Sequence, residues 1–234
     1  MWNDMIGDIK TVFVDLDDTI WWFSRNSLVS LRHIYDVYGL DGYASYETFD
    51  RHYHDINSRL WELYHYGKIS RSYLMEERFR YALEKIGCPT GKCAEMNEEY
   101  LDFLSWQPLA VPGAGEMLRY LSGKYDVNVL SNGFKGVQQR KLVSAGLDKY
   151  VNRIVLSDDC GVTKPLRGIF DYALGVCGAE AGSSVMIGDN YETDICGAKN
   201  AGWHAIFFNP AGNCGDYSSA DAVVATLSDV AAVL

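Results

Sequence analysis

The chain has 234 residues, 48% of them hydrophobic and 22% charged, and its 21 Lys+Arg against 31 Asp+Glu give a formal net charge of -10. That composition excludes a disordered chain, and the acidic balance excludes the broad positive field on which binding to nucleic acids or anionic membranes depends. No run approaches the roughly 18 continuous apolar residues of a membrane span, and the N-terminus lacks the basic-then-apolar order of a signal peptide, so a cytoplasmic globular protein is expected.

Lys10–Asp15 (KTVFVD) is a short apolar run rich in β-branched residues, and it reads as a buried strand ending at a carboxylate. From about Ser24 to Ser105 the apolar and aromatic residues recur at three- and four-residue intervals. The stretches Leu28–Tyr38, Tyr46–Tyr66 and Tyr73–Ile86 end at Gly39, Gly67 and Gly87, which act as helix stops. Range 23–105 is therefore read as a helical module inserted into a core built from 1–22 and 106–234, with the junction marked by the prolines and glycines of Gln107–Gly115.

Past the junction, short helices and strands alternate. Helices are expected at Gly115–Leu121, near Val137–Ala145, at Ile169–Cys177 and near Asp194–Ala201. The strands expected after them are Val127–Ser131, Ile154–Leu156, Ser184–Gly188 and His204–Phe208, and Leu227–Leu234 reads as a closing helix. This alternation implies right-handed crossovers and a Rossmann-like, doubly wound parallel α/β sheet, with its functional crevice beyond the carboxyl ends of the strands. The six cysteines are spread along a chain large enough to need no staples. Cys88 and Cys93 do not form C-x-x-C, so reduced packing thiols are expected and a zinc site is not.

Chemistry-bearing residues cluster at the predicted strand ends. The first strand ends in Asp15-Leu16-Asp17-Asp18-Thr19, and Ser184–Gly188 is followed by Asp189 and Asp194. Central, parallel strands would bring Asp15, Asp17, Asp189 and Asp194 to one rim, where four carboxylates tolerate one another only with a cation or shared protons. Oxygen-only ligation favours Mg²⁺. Ser131-Asn132-Gly133 offers a hydroxyl and close backbone N–H groups for a phosphate oxygen, and Lys164 in Thr163-Lys164-Pro165 brings a fixed positive charge. Asp18, Asp158 and Asp159 are read as structural or exposed, and His52, His54 and His65 as partly exposed residues of the helical module rather than ligands.

The order Asp15-x-Asp17-x-Thr19, Ser131-Asn132-Gly133, Lys164-Pro165, then Gly188-Asp189 with Asp194 resembles the four motifs of the haloacid dehalogenase-like hydrolase superfamily over nearly the whole chain. The inserted helical module matches that family's type 1 cap, and the pairing of Asp17 with Asp189 resembles its magnesium-dependent phosphatases rather than its dehalogenases. Asp15–Phe23 (DLDDTIWWF), Arg59–Ser70, Asn132–Gln139 (NGFKGVQQ) and Gly161–Leu174 (GVTKPLRGIFDYAL) are similar to the pyrimidine 5′-nucleotidase branch. The resemblance implies that Asp15 attacks phosphorus and that Asp17 serves as acid, then base. It further implies that Asp15, the carbonyl of Asp17 and Asp189 ligate Mg²⁺, that Ser131, Asn132 and Lys164 hold the phosphate, and that Asp194 supports them. Trp22 and Phe23 are candidates for selecting a nucleobase, whereas Trp21 reads as packing.

The implied partner is a small phosphorylated metabolite, a nucleotide in the leading reading. Two others stand beside it: the same fold acting on sugar phosphates, phosphoglycolate or pyrophosphate, or as a phosphomutase, and a catalytically silent sensor of a phosphate ligand. The intact set of Asp15, Asp17, Lys164 and Asp189 argues against the sensor, since a binder does not need the Asp15 nucleophile and the Asp17 acid/base together.

Overall fold

The structure is a computed structural model that describes Ile6 and residues 8–234. In chain order it contains β1 (Thr11–Val14), α1 (Phe23–Val37), α2 (Tyr46–His65), α3 (Arg71–Lys85), α4 (Cys93–Ser105), α5 (Ala114–Ser122), β2 (Asp126–Ser131) and α6 (Val137–Ser144). There follow β3 (Arg153–Leu156), α7 (Ser157–Cys160), α8 (Arg167–Cys177), β4 (Ser184–Gly188), α9 (Gly197–Asn200), β5 (His204–Phe208), β6 (Ala222–Val224) and α10 (Val230–Val233). Two compact units result, Met1–Phe23 with Pro108–Leu234, and Ser24–Gln107.

The first unit is built on a six-stranded sheet of order β3-β2-β1-β4-β5-β6, every neighbouring pair parallel. This is the Rossmann-like α/β fold expected from the alternation. Thr11, Val12, Phe13 and Val14 are all buried, because β1 lies centrally between β2 and β4 and both faces of the sheet are covered. Phe13 packs on Trp203 with ring centroids 4.5 Å apart, and Phe170 meets Trp203 edge-on at 5.2 Å. All three rings are buried, and withdrawing each from water contributes about 3 kcal/mol or more. β1 runs first to β2 on one side, and the chain later crosses to β4 on the other. The carboxyl ends of β1 and β4 therefore flank the switch point where such sheets hold ligands.

Three local features differ from the sequence reading. The helix expected near Asp194–Ala201 begins earlier, with a π-type turn over Tyr191–Cys196 that leads into α9. The Asn190 side chain accepts from the Thr193 N–H at 3.0 Å and starts the turn three residues before the apolar pattern does. Leu227–Leu234 is a 3₁₀ turn followed by the four-residue α10 rather than one helix. The three-residue β6 was not anticipated, since it follows a Gly-, Asn- and Ser-rich loop and is too short to show alternation.

The second unit is all-helical. Its α2 and α3 start at Ser45 and Ser70, whose hydroxyls accept from the N–H groups of Thr48 and Tyr73. Gly39, Gly67 and Gly87 take positive φ values of 61°, 65° and 71°, the left-handed geometry that ends a helix. Helix α4, not singled out from periodicity, adds Tyr100 to a buried aromatic group with Phe49, Tyr53 and Phe79. The six cysteines are free thiols, and among the described residues no helix is long and apolar enough to cross a membrane.

Candidate active site

Beyond β1 the chain folds back over Leu16–Trp21. The N–H groups of Ile20 and Trp21 both donate to the Leu16 carbonyl, and that of Asp18 donates to Trp21 at 2.8 Å. Asp18 occupies the left-handed region at φ 58°, a geometry in which a short polar side chain is at home. Its role is therefore in the turn. Trp21 is fully buried and bridges to Ala110 of the returning chain, while Trp22 and Phe23 remain half-buried.

The turn leaves Asp15 and Asp17 with different partners. Asp15 is 8% exposed, and its Oδ1 lies 2.6 Å from the Lys164 ammonium. Lys164 also donates to Asp194 Oδ1 at 2.7 Å and to the Leu130 carbonyl at 2.8 Å, so its three N–H bonds are all engaged. Burial by itself would lower the lysine's pKa, but the charges of Asp15 and Asp194 raise it above the ordinary value, and the group stays an ammonium. Lys164 is itself fixed by Asn132, whose Oδ1 accepts from the Lys164 N–H at 2.7 Å and whose Nδ2 donates to the Lys164 carbonyl at 2.9 Å.

Asp189 follows β4 and is locked to Thr19. The Thr19 hydroxyl donates to Asp189 Oδ1 at 2.9 Å and accepts from the Asp189 N–H at 3.1 Å. Asp15, Asp189 and Asp194 each offer a carboxylate oxygen within 4.8 Å of the others. Burial pushes Asp15 up to about 7, against the pull of Lys164 and with a further push from Asp194. Burial, with Asp15 and Asp194 beside it, raises Asp189 well above the carboxylate range. One ammonium does not satisfy two buried carboxylates and a half-buried third, and an all-oxygen donor set of this kind fits a hard divalent cation.

Asp17 is turned to a second basic residue. Its Oδ1 is 2.6 Å from the Lys141 ammonium, and its Oδ2 accepts from Gln138 Nε2 at 2.9 Å. Gln138 also donates to the Ser131 hydroxyl at 2.8 Å, and the Gly133 N–H donates to the same oxygen at 3.1 Å. Both acceptor positions of Ser131 are filled, which leaves its O–H to donate to an incoming oxygen. The structure thus brings Asp15, Asp189, Asp194 and Lys164 into one group and joins Asp17 to Ser131 through Gln138. The Asn132 amide is committed largely to holding Lys164. Asp158 and Asp159 serve main-chain N–H groups of Lys135 and Leu156.

Gln138 and Lys141 were missed from the sequence, as was the part played by Thr19. The signals were the place of Gln138 in the NGFKGVQQ segment and the spacing of the pair: three residues apart on α6, they share a helix face. Gly133 is where that face meets the strand end, because a Cβ at Gly133 would collide with the Gln138 amide. Gly133→Ala is expected to force Gln138 aside at a cost of about 1–3 kcal/mol, a fall in Tm on the order of 5 °C. An unchanged melting curve would show that the contact yields freely.

The family model for a haloacid dehalogenase-like hydrolase matches residues 9–202, a span running from β1 past the Asp189 and Asp194 positions. The chain belongs to this hydrolase family. Among relatives in the family, it is 33% identical over 199 residues to the pyrimidine 5′-nucleotidase YjjG of Escherichia coli, a match covering 85% of each chain. It is 28% identical to the pyrimidine 5′-nucleotidase PynA of Streptococcus pneumoniae, over 86% of this chain and 84% of that one. Its fold is shared with the magnesium-bound crystal structure of the HAD-hydrolase YfnB from Bacillus subtilis, at a TM-score of 0.86 and 24% identity, covering 97% of this chain and 98% of that one.

Proposed function

We propose that this hydrolase is a magnesium-dependent phosphomonoesterase that acts through an aspartyl-phosphate on Asp15, with pyrimidine nucleoside 5′-monophosphates as its substrates. The observation carrying the reading is the separation of the carboxylates into two environments. Asp15 lies with Asp189 and Asp194 in a group that fits a cation, whereas Asp17 is held apart by its own donors. That division suits a nucleophile and a proton carrier. The nucleotide preference rests on the two nucleotidase relatives.

In this reading a carboxylate oxygen of Asp15 forms the bond to phosphorus while the ester P–O bond breaks, and the departing oxygen takes the proton carried by Asp17. Asp17 then receives a proton from water as the water oxygen attacks phosphorus, the Asp15–phosphorus link breaks, and inorganic phosphate leaves. Asp15, Asp189 and the main-chain carbonyl of Asp17 would hold Mg²⁺ with Asp194 supporting them, and the ion when bound would screen the negative charge of the phosphate. Lys164 keeps Asp15 in place, and the Ser131 hydroxyl and the second amide proton of Asn132 carry donors for phosphate oxygens. The helical unit acts as the family's type 1 cap.

Phosphate release measured over nucleotides and sugar phosphates with Mg²⁺ tests the assignment. UMP or dTMP is expected to exceed ribose 5-phosphate in kcat/KM. The phosphate site accepts any monoester, so the difference must arise elsewhere, and the half-buried Trp22 and Phe23 offer aromatic faces. Stacking on a base contributes about 1–3 kcal/mol, or roughly five- to two-hundred-fold in specificity. Trp22→Ala or Phe23→Ala should narrow the gap between UMP and ribose 5-phosphate more than it lowers hydrolysis of a small generic ester. Equal processing of both substrates by the wild-type protein would defeat the nucleotide reading, and an equal loss on all substrates in both variants would make these rings packing residues.

A further inference from the structure

We propose that Lys141, together with Gln138, is the positioning residue for Asp17. It fixes the carboxylate in the orientation from which its proton moves to and from oxygen, an inference that rests on the phosphatase reading above. The two Asp17 oxygens have separate donors, the Lys141 ammonium at 2.6 Å and the Gln138 amide at 2.9 Å. Turning the carboxylate breaks both bonds at once, so its plane is set. Lys164 is already engaged by Asp15, Asp194 and Leu130, which leaves Lys141 as the ammonium that faces Asp17 among the described contacts.

The environment of Lys141 argues that the pair serves more than folding. The lysine side chain is 5% exposed, against 31% for Asp17. Its ammonium lies 4.7 Å from the centre of the Trp21 ring and 5.5 Å from that of Phe23, so two aromatic faces stand where water otherwise would. Removing an ammonium from water is costly, and replacing a buried ion pair as a whole by apolar chains often serves stability as well or better. What an apolar chain cannot do is hold a carboxylate. Gln138 extends the hold by bonding Ser131 as well, so the proton carrier and a candidate phosphate donor share one support on α6. Lys141 acts only through Asp17.

The test compares Lys141→Met, Lys141→Arg, Asp17→Asn and the double variant Lys141→Met/Asp17→Asn. Full-length protein is assayed with UMP and with p-nitrophenyl phosphate in Mg²⁺, with folding checked by circular dichroism and thermal melting. Lys141→Met should lower kcat by about 10- to 100-fold while KM stays within about threefold, since orientation and not binding is lost. Lys141→Arg should recover most of the loss. The double variant should be no slower than Asp17→Asn alone, because Lys141 has nothing left to position. If Lys141→Met fails to fold, Gln138→Leu gives the same reading from the other oxygen, with a smaller fall in kcat at unchanged KM. A kcat within about twofold of wild type in a folded Lys141→Met protein overturns the inference, and so does a loss that adds in full to that of Asp17→Asn. Wild-type turnover by Asp17→Asn overturns something different, the assignment of Asp17 in the reaction itself.

Discussion

Asp15→Asn is expected to abolish phosphate release, by about 10⁴-fold or more, in a protein that still folds. The amide keeps the volume and one oxygen of the carboxylate but cannot form the acyl-phosphate. The fold should survive because Asp15 sits in an overcrowded group with Asp189 and Asp194, and taking away one buried charge relieves repulsion while Lys164 keeps its 2.7 Å contact with Asp194. Thermal melting should therefore show a Tm at or above that of wild type. Wild-type protein quenched in acid during turnover should carry one phosphate that the variant lacks. Phosphate release near the wild-type rate from a folded Asp15→Asn protein would remove Asp15 from the mechanism.

Chelation is expected to have an effect of similar size, and Asp189→Ala should weaken both turnover and its dependence on Mg²⁺. Asp189 is held in place by Thr19 on both its carboxylate and its N–H, so its removal would delete a proposed ligand that is fixed in position. Full activity after exhaustive chelation would rule out the metal. The same carboxylates predict how the ion should act on stability. Asp15 is raised from 3.8 to about 7, chiefly by burial. A raised carboxylate binds its proton more tightly in the folded state, so its contribution to stability is full below 3.8 and is lost as pH climbs through about 7. Asp189, raised in the same direction, adds to the loss. In chelator the protein should accordingly melt lower at pH 8 than at pH 5, and the rise in Tm on adding Mg²⁺ should be larger at pH 8. An equal rise at both pH values would mean that the ion binds away from this group.

Asp15 and Asp189 were legible in the sequence because each directly follows a β-branched apolar run, a parallel sheet sends such runs toward the same rim, and Asp17 and Asp194 stand only two and five residues further on. Lys164 was legible for a related reason, as the basic residue after the next strand. Gln138 and Lys141 were hidden by their location. On a helix, polar residues three apart ordinarily mark the face turned to water, and only the close approach of α6 to the Gly133 corner turns this face inward. Thr19 lay in plain view within the first motif, yet its bond to Asp189 joins positions 170 residues apart, a pairing that local pattern does not encode. The π-type turn at Tyr191–Cys196 was missed because its cue is the Asn190 side chain rather than apolar spacing.

The central place of β1 also constrains how a new chain acquires its activity during synthesis. Thr11 finds its partners at Asp126 and at Ser184, each more than a hundred residues further along, whereas the helical unit Ser24–Gln107 is one contiguous stretch of chain. Sheets assembled from such distant segments close slowly, after the local helices have formed. A ribosome-bound chain that has not yet exposed Gly188 to Asp194 holds Asp15 on an incomplete sheet, with neither Asp189 nor Asp194 beside it. Hydrolysis therefore awaits synthesis past Asp194, and a product truncated ahead of β4 is expected to be inert even when its helices are formed.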